Sequence, residues 1–289
     1  MQINLLLRKF RHKYIWKRLL QERMTEPLHL NLVSLFVAMF GSFRCKVAFD
    51  LVIRQQHAYG ILAAADIAKA QGNATVALLE FGVASGAGLL NICHVAKLVT
   101  AATGINFLIF GFDTGKGMPP PRSYKDHPEL YQEGDFPMDS VALEARLPPN
   151  AKLLLGELTD TVPQFLATTD STVPIGFVSI DVDYYSSTVD ALRVLDGIPQ
   201  RYLPRVPIYL DDVHFDSHNS WCGELLAVNE FNQAHEFRKI EPHAFFRGSR
   251  IMKNASWIDH MVTLHVLDHP ARSMLERSRD TISLSNPYL

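Results

Sequence analysis

Beyond the turn signal Gln71-Gly72-Asn73, short apolar runs alternate with longer stretches of helical periodicity. Runs that are apolar throughout, rather than at every second position, are typical of parallel strands buried on both faces. The pattern predicts an α/β fold with a doubly wound sheet, whose ligands bind beyond the carboxyl ends of the strands. The predicted strands are Thr75–Phe81, Asn106–Phe112, Ala151–Leu155, Ile175–Val182 and Val206–Leu210, and the predicted helices are Gly88–Ala101, Val162–Ala167, Thr188–Leu195 and Cys222–Ala234.

The first part of the chain has helical patterns only, so we expect an N-terminal helical segment over 1–72 and a ligand-binding domain over 73–289. Between Arg8 and Arg23 the chain carries seven basic residues against the single acid Glu22, interleaved with apolar ones. One interpretation is an amphipathic helix over 5–23 that contacts an anionic membrane surface. The other is a solvated helix packed on its own domain or on a second subunit, and we expect a homo-oligomer.

The apolar stretch Leu28–Phe43 is shorter than the roughly 20 residues that a membrane-spanning helix needs. It predicts a buried helix, with Thr25 as its N-cap, Pro27 in its first turn and Gly41 at its end.

The composition is that of a globular protein, with 47% hydrophobic residues, 20% charged residues and a net charge of -2. This balance favours neither disorder nor nucleic-acid binding. The three cysteines share no CxxC spacing, which argues against a disulfide framework or a zinc site and favours a reducing, cytoplasmic compartment.

Acidic and glycine residues gather where the predicted strands end. In a parallel sheet these ends meet along one edge, so we expect one polar cleft there. The segments concerned are Glu80–Gly88, Gly111–Asp113, Gly156-Glu157, Asp181–Asp183 and Asp211-Asp212.

The loop from Gly82 to Gly88 allows a tight turn and a close approach of the backbone to a ligand, although such a loop can also be only a turn. Ala84 occupies the middle position of the GxGxxG fingerprint, which disfavours a nicotinamide-dependent oxidoreductase or epimerase. Glu80, just before the loop, suits a ligand with a positive charge or an amino group.

Asp113 closes the second strand, where a carboxylate can accept hydrogen bonds from both hydroxyls of a ribose. The alternative is an Asp that caps a turn ahead of Gly115.

Asp181, Asp211 and Asp212 come from neighbouring strand ends and would repel one another without a cation among them. Ligands that are all oxygen suit Mg²⁺, Ca²⁺ or Mn²⁺. The alternative is helix capping, with Asp183 and Ser187 as N-caps before Thr188. His214 and His218 lie nearby as further ligands or bases.

These segments, together with Gly223-Glu224 and Glu230–Asn232, resemble the macrocin O-methyltransferase family of class I S-adenosylmethionine-dependent methyltransferases. They look closest to a bacterial branch with a Gly-Phe-Asp-Thr-Gly segment. The resemblance covers the chain from Thr75 to the helix around Phe231.

The resemblance implies a Rossmann-like, seven-stranded methyltransferase sheet with extra N-terminal helices. It implies that Asp113 holds the ribose of S-adenosylmethionine, that Gly156 and Glu157 flank its adenine, and that a divalent metal binds Asp181, Asp211 and Asp212. The residues that would border the methionine part are Glu80, Gly82, Ser85, Gly86 and Gly88.

The function expected from the resemblance is metal-dependent methylation of a hydroxyl on a small molecule, of sugar or natural-product type. Asp183 or Asp181 would be the base, with His214 as a weaker candidate, and Pro119–Pro137 would form a lid. The insertion Lys116–Pro149 departs from the sugar-modifying members, so their substrate is not carried over. The alternative is a non-catalytic cofactor-binding or scaffold protein that docks through its basic N-terminus.

Overall fold

The computed structural model describes Trp16, residues 18–213, 218–243 and 245–272, and Ser283 and Ser285. Most of the predicted amphipathic segment 5–23 and His214 lie outside these residues.

Seven strands form one mixed sheet in the order β3-β2-β1-β4-β5-β7-β6. The first five are parallel, and β7 lies between β5 and β6, antiparallel to both. This confirms the predicted α/β, Rossmann-like, seven-stranded fold. The strands are β1 Thr75–Phe81, β2 Asn106–Asp113, β3 Ala151–Leu155, β4 Ile175–Ile180, β5 Arg205–Leu210, β6 Arg238–Pro242 and β7 Met261–Val266.

The apolar runs located the first five strands to within two residues, because their side chains are buried on both faces of the sheet. The fourth strand stops at Ile180 rather than Val182, and the chain turns there through Asp183, whose φ is 58°. The predicted strands include neither β6 nor β7: β6 is a polar edge strand without an apolar run, and Thr263 and His265 interrupt the apolar run of β7.

Helices flank the sheet in two groups: α3 and α4 pack together against its central strands, and α6, α7 and α8 form the second group. Buried side chains of α3, such as Ile61, belong to the same core as those of β1 and β4. The helices are α1 Leu28–Phe40, α2 Phe43–Ala48, α3 Gln55–Gln71, α4 Ala87–Thr103, α5 Ser140–Glu144, α6 Leu158–Thr168, α7 Tyr185–Leu192, α8 Gly223–Ala234 and α9 Phe246–Ser249.

Two predictions about α1 were wrong. The helix is largely exposed, with only Ser34 and Val37 buried. The prediction failed because an apolar composition does not show whether another surface covers the helix. Thr25 is not its N-cap: its hydroxyl donates backward to the carbonyls of Gln21 and Glu22, and Pro27 occupies the cap position. The predicted end at Gly41 is confirmed.

The chain before α1 is fixed to the domain by two side chains. Arg23 donates hydrogen bonds to the carbonyls of Phe49 and Asp50, and Glu26 accepts from the backbone N–H groups of Lys253 and Asn254. Within the described part of the chain, no helix combines the length and hydropathy needed to cross a membrane.

Candidate active site at the carboxyl ends of the strands

A cleft lies beyond the carboxyl ends of β1, β2, β4 and β5, as the topology predicts. It has two adjoining halves, which we call the Glu80 half and the Asp113 half after a residue found in only one of them. Five residues line both halves: Gly82, Ala84, Phe136, Asp181 and Asp183.

The strand tips at the cleft are joined by backbone hydrogen bonds. The Asp181 N–H donates to the carbonyl of Phe81, and the Asp211 N–H donates to that of Ile180. A β-carbon on Gly82 would lie 1.7 Å from the carbonyl oxygen of Asp181. Only glycine therefore lets the loop after β1 pass so close to the end of β4.

Glu80 is almost fully buried in the wall of the cleft. One carboxylate oxygen lies against Gly88, where a β-carbon would come within 2.0 Å of it. The other oxygen, Oε2, accepts no hydrogen bond from the described residues. Burial raises the pKa of Glu80 well above its ordinary value, the negative charge of Asp181 raises it further, and Arg54 opposes this shift. An ionised Glu80 therefore calls for a cationic partner.

Arg54 is the one Arg or Lys among the described residues that line the Glu80 half. It precedes α3 and has a left-handed backbone, with a φ of 51°. The sequence gives no signal for this residue, because an isolated arginine between two helices has no distinctive pattern.

The rest of the loop surrounds the start of α4. Ser85 and Gly88 line the Glu80 half, whereas Gly86 lies behind it against the side chain of Leu143. No side chain caps the first N–H groups of α4. These groups and the helix dipole therefore favour a negative ligand group there.

Asp113 holds this loop in place. Its Oδ2 accepts from the N–H groups of Val83 and Ala84, both at 2.9 Å, and its Oδ1 accepts from Gly115 at 2.7 Å. The turn-capping alternative is thus confirmed. A carboxylate has about four acceptor sites, so these three bonds leave about one for a ribose hydroxyl rather than the two that both hydroxyls would need.

The Asp113 half continues along the ends of β2 and β3. Glu157 lines it together with Phe112 and Leu158. Gly156 is adjacent in the backbone, and its N–H donates to the Asp113 carbonyl.

Three carboxylates meet in the Glu80 half. Asp181, Asp183 and Asp212 each offer an oxygen, and these oxygens lie within 4.8 Å of one another. Asp211 also lines the cleft, but its Oδ1 accepts a 2.5 Å hydrogen bond from the Tyr209 hydroxyl. The converging carboxylates are therefore Asp181 and Asp212, two of the three predicted metal ligands, and Asp183, which was predicted as a base.

These carboxyls resist ionisation. Burial, followed by neighbouring negative charges, raises the pKa of Asp181 to about 8 and that of Asp212 to about 9. Asp212 Oδ2 accepts no hydrogen bond from the described residues. Behind the cluster, the fully buried Glu224 accepts from the Asp212 N–H, and burial raises its pKa well above the ordinary value. The three converging carboxylates are therefore a candidate cation site.

The insertion between β2 and β3 forms the outer wall of the cleft. The Tyr131 hydroxyl donates to Asp212 Oδ1 at 3.3 Å, and Phe136 lines both halves. Loop residues of this kind carry no sequence signal beyond their aromatic character, so only the predicted lid range had indicated them.

Asp126 joins this insertion to α7. It is fully buried, and its Oδ1 accepts from the Ser186 N–H at 2.8 Å while its Oδ2 accepts from Arg122 N–H at 2.7 Å. The capping alternative for Asp183 and Ser187 was therefore wrong: the N-cap position is Tyr184, and a carboxylate from a distant loop satisfies the first turn.

Backbone strain is concentrated at the cleft. Seven described residues other than glycine have positive φ, and four of them line it: Arg54, Ala84, Phe136 and Asp183. Such conformations cost roughly 1–3 kcal/mol each and persist where the surrounding structure imposes them, frequently at functional sites.

His218 also reaches the cluster, with Nε2 3.9 Å from Asp212 Oδ1. The ring centroids of His218 and His127 are 5.1 Å apart. His127 Nδ1 is in turn hydrogen-bonded to Glu129 Oε1 at 2.9 Å. Burial lowers the pKa of His218, so the neutral imidazole is favoured as a ligand or base.

No family model and no curated protein sequence matches the chain. Among solved structures, it is similar to the O-methyltransferase NovP, with 18% identity, 62% of this chain and 72% of that chain covered, and a TM-score of 0.46. It is also similar to the calicheamicin methyltransferase CalS11, with 18% identity, 71% and 77% covered, and a TM-score of 0.49. The plantazolicin methyltransferase BpumL, in complex with S-adenosylhomocysteine, has 11% identity, 76% and 87% covered, and a TM-score of 0.34. Likenesses this distant assign neither substrate nor mechanism.

Proposed function

We propose that the protein is a class I S-adenosylmethionine-dependent methyltransferase that methylates a hydroxyl group of a small molecule with the help of a divalent cation. The observation that carries the proposal is the buried carboxylate of Glu80, which has an unpartnered oxygen and lies in the same cleft as the Asp181–Asp183–Asp212 cluster. One group calls for an ammonium ligand and the other for a metal cation.

The residues of the Glu80 half fit the methionyl part of the cofactor. Glu80 would accept hydrogen bonds from its ammonium group, which supplies the missing partner of Oε2. Arg54 and the uncapped first turn of α4 would hold its carboxylate, since both are positive in an otherwise acidic half-cleft. Gly82 and Gly88 line the same half of the cleft, where the chain between these groups would lie.

The Asp113 half suits the adenosine. Phe136 and Leu158 offer apolar surface, while Glu157 and Asp113 offer acceptors at its edge. This assignment agrees with the family resemblance, and Gly156 would contribute through the backbone that it fixes next to Asp113.

The acidic cluster fits a hard divalent cation such as Mg²⁺. Asp181, Asp183 and Asp212 would hold it, and Asp211 would contribute negative charge from beside them. When bound, such a cation supplies Lewis acidity that lowers the pKa of a substrate hydroxyl. The unpartnered Oδ2 of Asp212 is the atom of this chain that most clearly fits the role.

The remaining chemistry belongs to positioning and proton transfer. Asp183 or Asp181 would accept the proton of the acceptor hydroxyl through a carboxylate oxygen that does not hold the cation, since both residues line the two halves of the cleft. Tyr131 would orient Asp212 through its hydroxyl. Phe136 and the rest of the outer wall would exclude water from the reacting atoms.

Calorimetry with the full chain tests the cofactor assignment. S-adenosylhomocysteine should bind, and NAD should not. Glu80→Gln should weaken binding by roughly ten- to a hundredfold, the loss expected for a charged hydrogen bond. The matched control Glu236→Gln changes an exposed acid outside the cleft and should leave the affinity unchanged.

The outcomes separate the alternatives. NAD binding without binding of S-adenosylhomocysteine would contradict the proposal in favour of an oxidoreductase. Binding of S-adenosylhomocysteine without methyl transfer to any of a broad panel of hydroxyl compounds would favour the non-catalytic cofactor-binding protein instead.

A further inference from the structure

Helix α1 has the reverse of the amphipathic pattern of a surface helix. Its polar residues point inward: the Asn31 amide donates to the Arg23 carbonyl at 2.7 Å, and the Ser34 hydroxyl donates to the Asn31 carbonyl at 2.7 Å. Ser34 is buried, whereas Leu32 and Phe36 on the other side are exposed. A helix with this orientation does not gain stability by burying an apolar face against its own domain.

The exposed side of α1 forms a continuous apolar strip, because residues at i, i+4, i+7, i+8, i+11 and i+12 lie on one face of a helix. Each of its six large apolar side chains is between 60% and 74% exposed. A contiguous patch of this kind marks an interaction surface rather than scattered surface residues. The strip consists of Leu28, Leu32, Leu35, Phe36, Met39 and Phe40.

The charge of the adjoining chain indicates what covers the strip. Seven basic residues and one acidic residue lie between Arg8 and Arg23, directly before α1. Trp16, in the middle of this stretch, is 47% exposed, and tryptophan is enriched where proteins meet the membrane interface. Basic residues that precede an apolar helix suit an anionic bilayer, because its headgroups attract the basic residues and its acyl chains accept the apolar ones.

A second copy of the chain matches this surface less well. A second copy could cover the apolar strip, but the sequence before its own α1 brings the same seven basic residues and so no excess of negative charge to balance them. A bilayer with anionic headgroups instead attracts the basic residues and accepts the apolar side chains.

We propose that the α1 strip is a docking surface for an anionic lipid bilayer, whose headgroups are favoured by the basic charge of the sequence before α1. The protein would lie on the membrane as a peripheral protein, with the apolar strip in the boundary between headgroups and acyl chains. This inference does not depend on the methyltransferase assignment, since it uses none of the cleft residues.

Co-sedimentation of the full chain with vesicles tests the proposal. The protein should bind vesicles made of equal parts of phosphatidylcholine and phosphatidylglycerol, and should bind pure phosphatidylcholine vesicles at least about tenfold more weakly. The triple variant Leu35→Gln, Phe36→Gln, Met39→Gln should lose at least about tenfold in affinity for the anionic vesicles. Replacing Arg8, Lys9, Arg11 and Lys13 with Gln should weaken binding similarly, and added salt should weaken that of the wild type.

A matched control keeps the test specific. Val141 and Ile198 are exposed apolar residues away from α1, and changing both to Gln should leave vesicle binding unchanged. Equal thermal melting temperatures of the wild type and the triple variant would show that the substitutions at these exposed positions leave the fold intact.

Three results would overturn the proposal. The first is a wild-type chain that does not bind anionic vesicles, as expected if residues 1–15 cover the strip themselves. The second is vesicle binding that survives the triple substitution. The third is a dimer in light scattering that binds no vesicles and becomes monomeric in the triple variant, which would assign the strip to a second copy of the chain.

Discussion

The carboxylate of Asp126 accepts a hydrogen bond from the backbone N–H of Ser186 at 2.8 Å, across sixty residues of sequence. It thereby caps the helix that follows Asp183 and fixes the insertion that carries Tyr131 and Phe136. The outer wall of the cleft and the acidic cluster are thus held by one buried side chain.

Asp126→Ala should therefore destabilise the protein by about 1–3 kcal/mol, because it leaves buried N–H groups without a partner. Urea denaturation measures this change. Ser187→Ala, at the position that the sequence favours as a cap, should change stability by less than about 0.5 kcal/mol, since its hydroxyl makes no capping bond. A larger effect of Ser187→Ala would contradict the assignment of Asp126 as the cap.

The comparison of Asp126 with Ser187 shows which part of the site the sequence could predict. Strand ends and the loop Gly82–Gly88 depend on residues next to one another in the chain, and their pattern located them. A cap from Asp126 depends on how a long loop returns to the sheet, and nothing close to Ser186 in sequence records it. Local signals therefore placed Asp183 and Ser187 in a role that a distant carboxylate performs.

The role of Arg54 and the exposure of α1 were missed for different reasons. Arg54 reaches the cleft only because α3 packs on the sheet, so its role depends on tertiary structure alone. The apolar pattern of α1 correctly predicted a helix and its end at Gly41, but the same pattern fits a helix covered by protein and one left exposed.

Arg54→Gln should weaken binding of S-adenosylhomocysteine by at least about tenfold, because the carboxylate of the ligand loses a charged donor. Binding of 5′-methylthioadenosine, which lacks the amino-acid group, should not change. Arg54→Lys should restore part of the affinity, since it keeps the charge but not the paired donors. Calorimetry with both ligands gives the comparison.

The control for this prediction is Arg44→Gln, which removes an arginine from an exposed ion pair with Asp66. It should affect neither ligand. An equal loss of both ligands in Arg54→Gln would show that the variant perturbs the whole cleft, and unchanged binding of S-adenosylhomocysteine would rule out the carboxylate role.

The acidic cluster predicts a stability that depends on pH and on metal. In an unfolded chain an aspartate titrates near about 3.9, whereas burial and neighbouring charges raise the pKa of Asp181 to about 8 and that of Asp212 to about 9. Between these limits the folded state binds more protons than the unfolded state. The free energy of unfolding contributed by these groups therefore falls as the pH rises from about 4 to 9.

Without divalent cations, Asp212→Asn should raise the melting temperature at pH 8, by about 2–4 °C for each kcal/mol of repulsion removed. Added Mg²⁺ should stabilise the wild type more at pH 8 than at pH 6, because it replaces protons on the cluster. It should have little effect on Asp212→Asn. Differential scanning fluorimetry across this pH range measures both changes, and a wild type whose stability rises from pH 6 to 8 without metal would contradict the account.

Asp183 and Asp211 make different predictions for cation binding. The carboxylate of Asp183 converges with those of Asp181 and Asp212, whereas the carboxylate of Asp211 accepts a hydrogen bond from the Tyr209 hydroxyl. Asp183→Asn should therefore lower the affinity for Mn²⁺ by at least about tenfold, because it removes a charged ligand, and Asp211→Asn should lower it less. Electron paramagnetic resonance of free Mn²⁺ gives both constants. If Asp211→Asn has the larger effect, and Tyr209→Phe strengthens binding by freeing that carboxylate, then the ligand set suggested by the sequence is the right one.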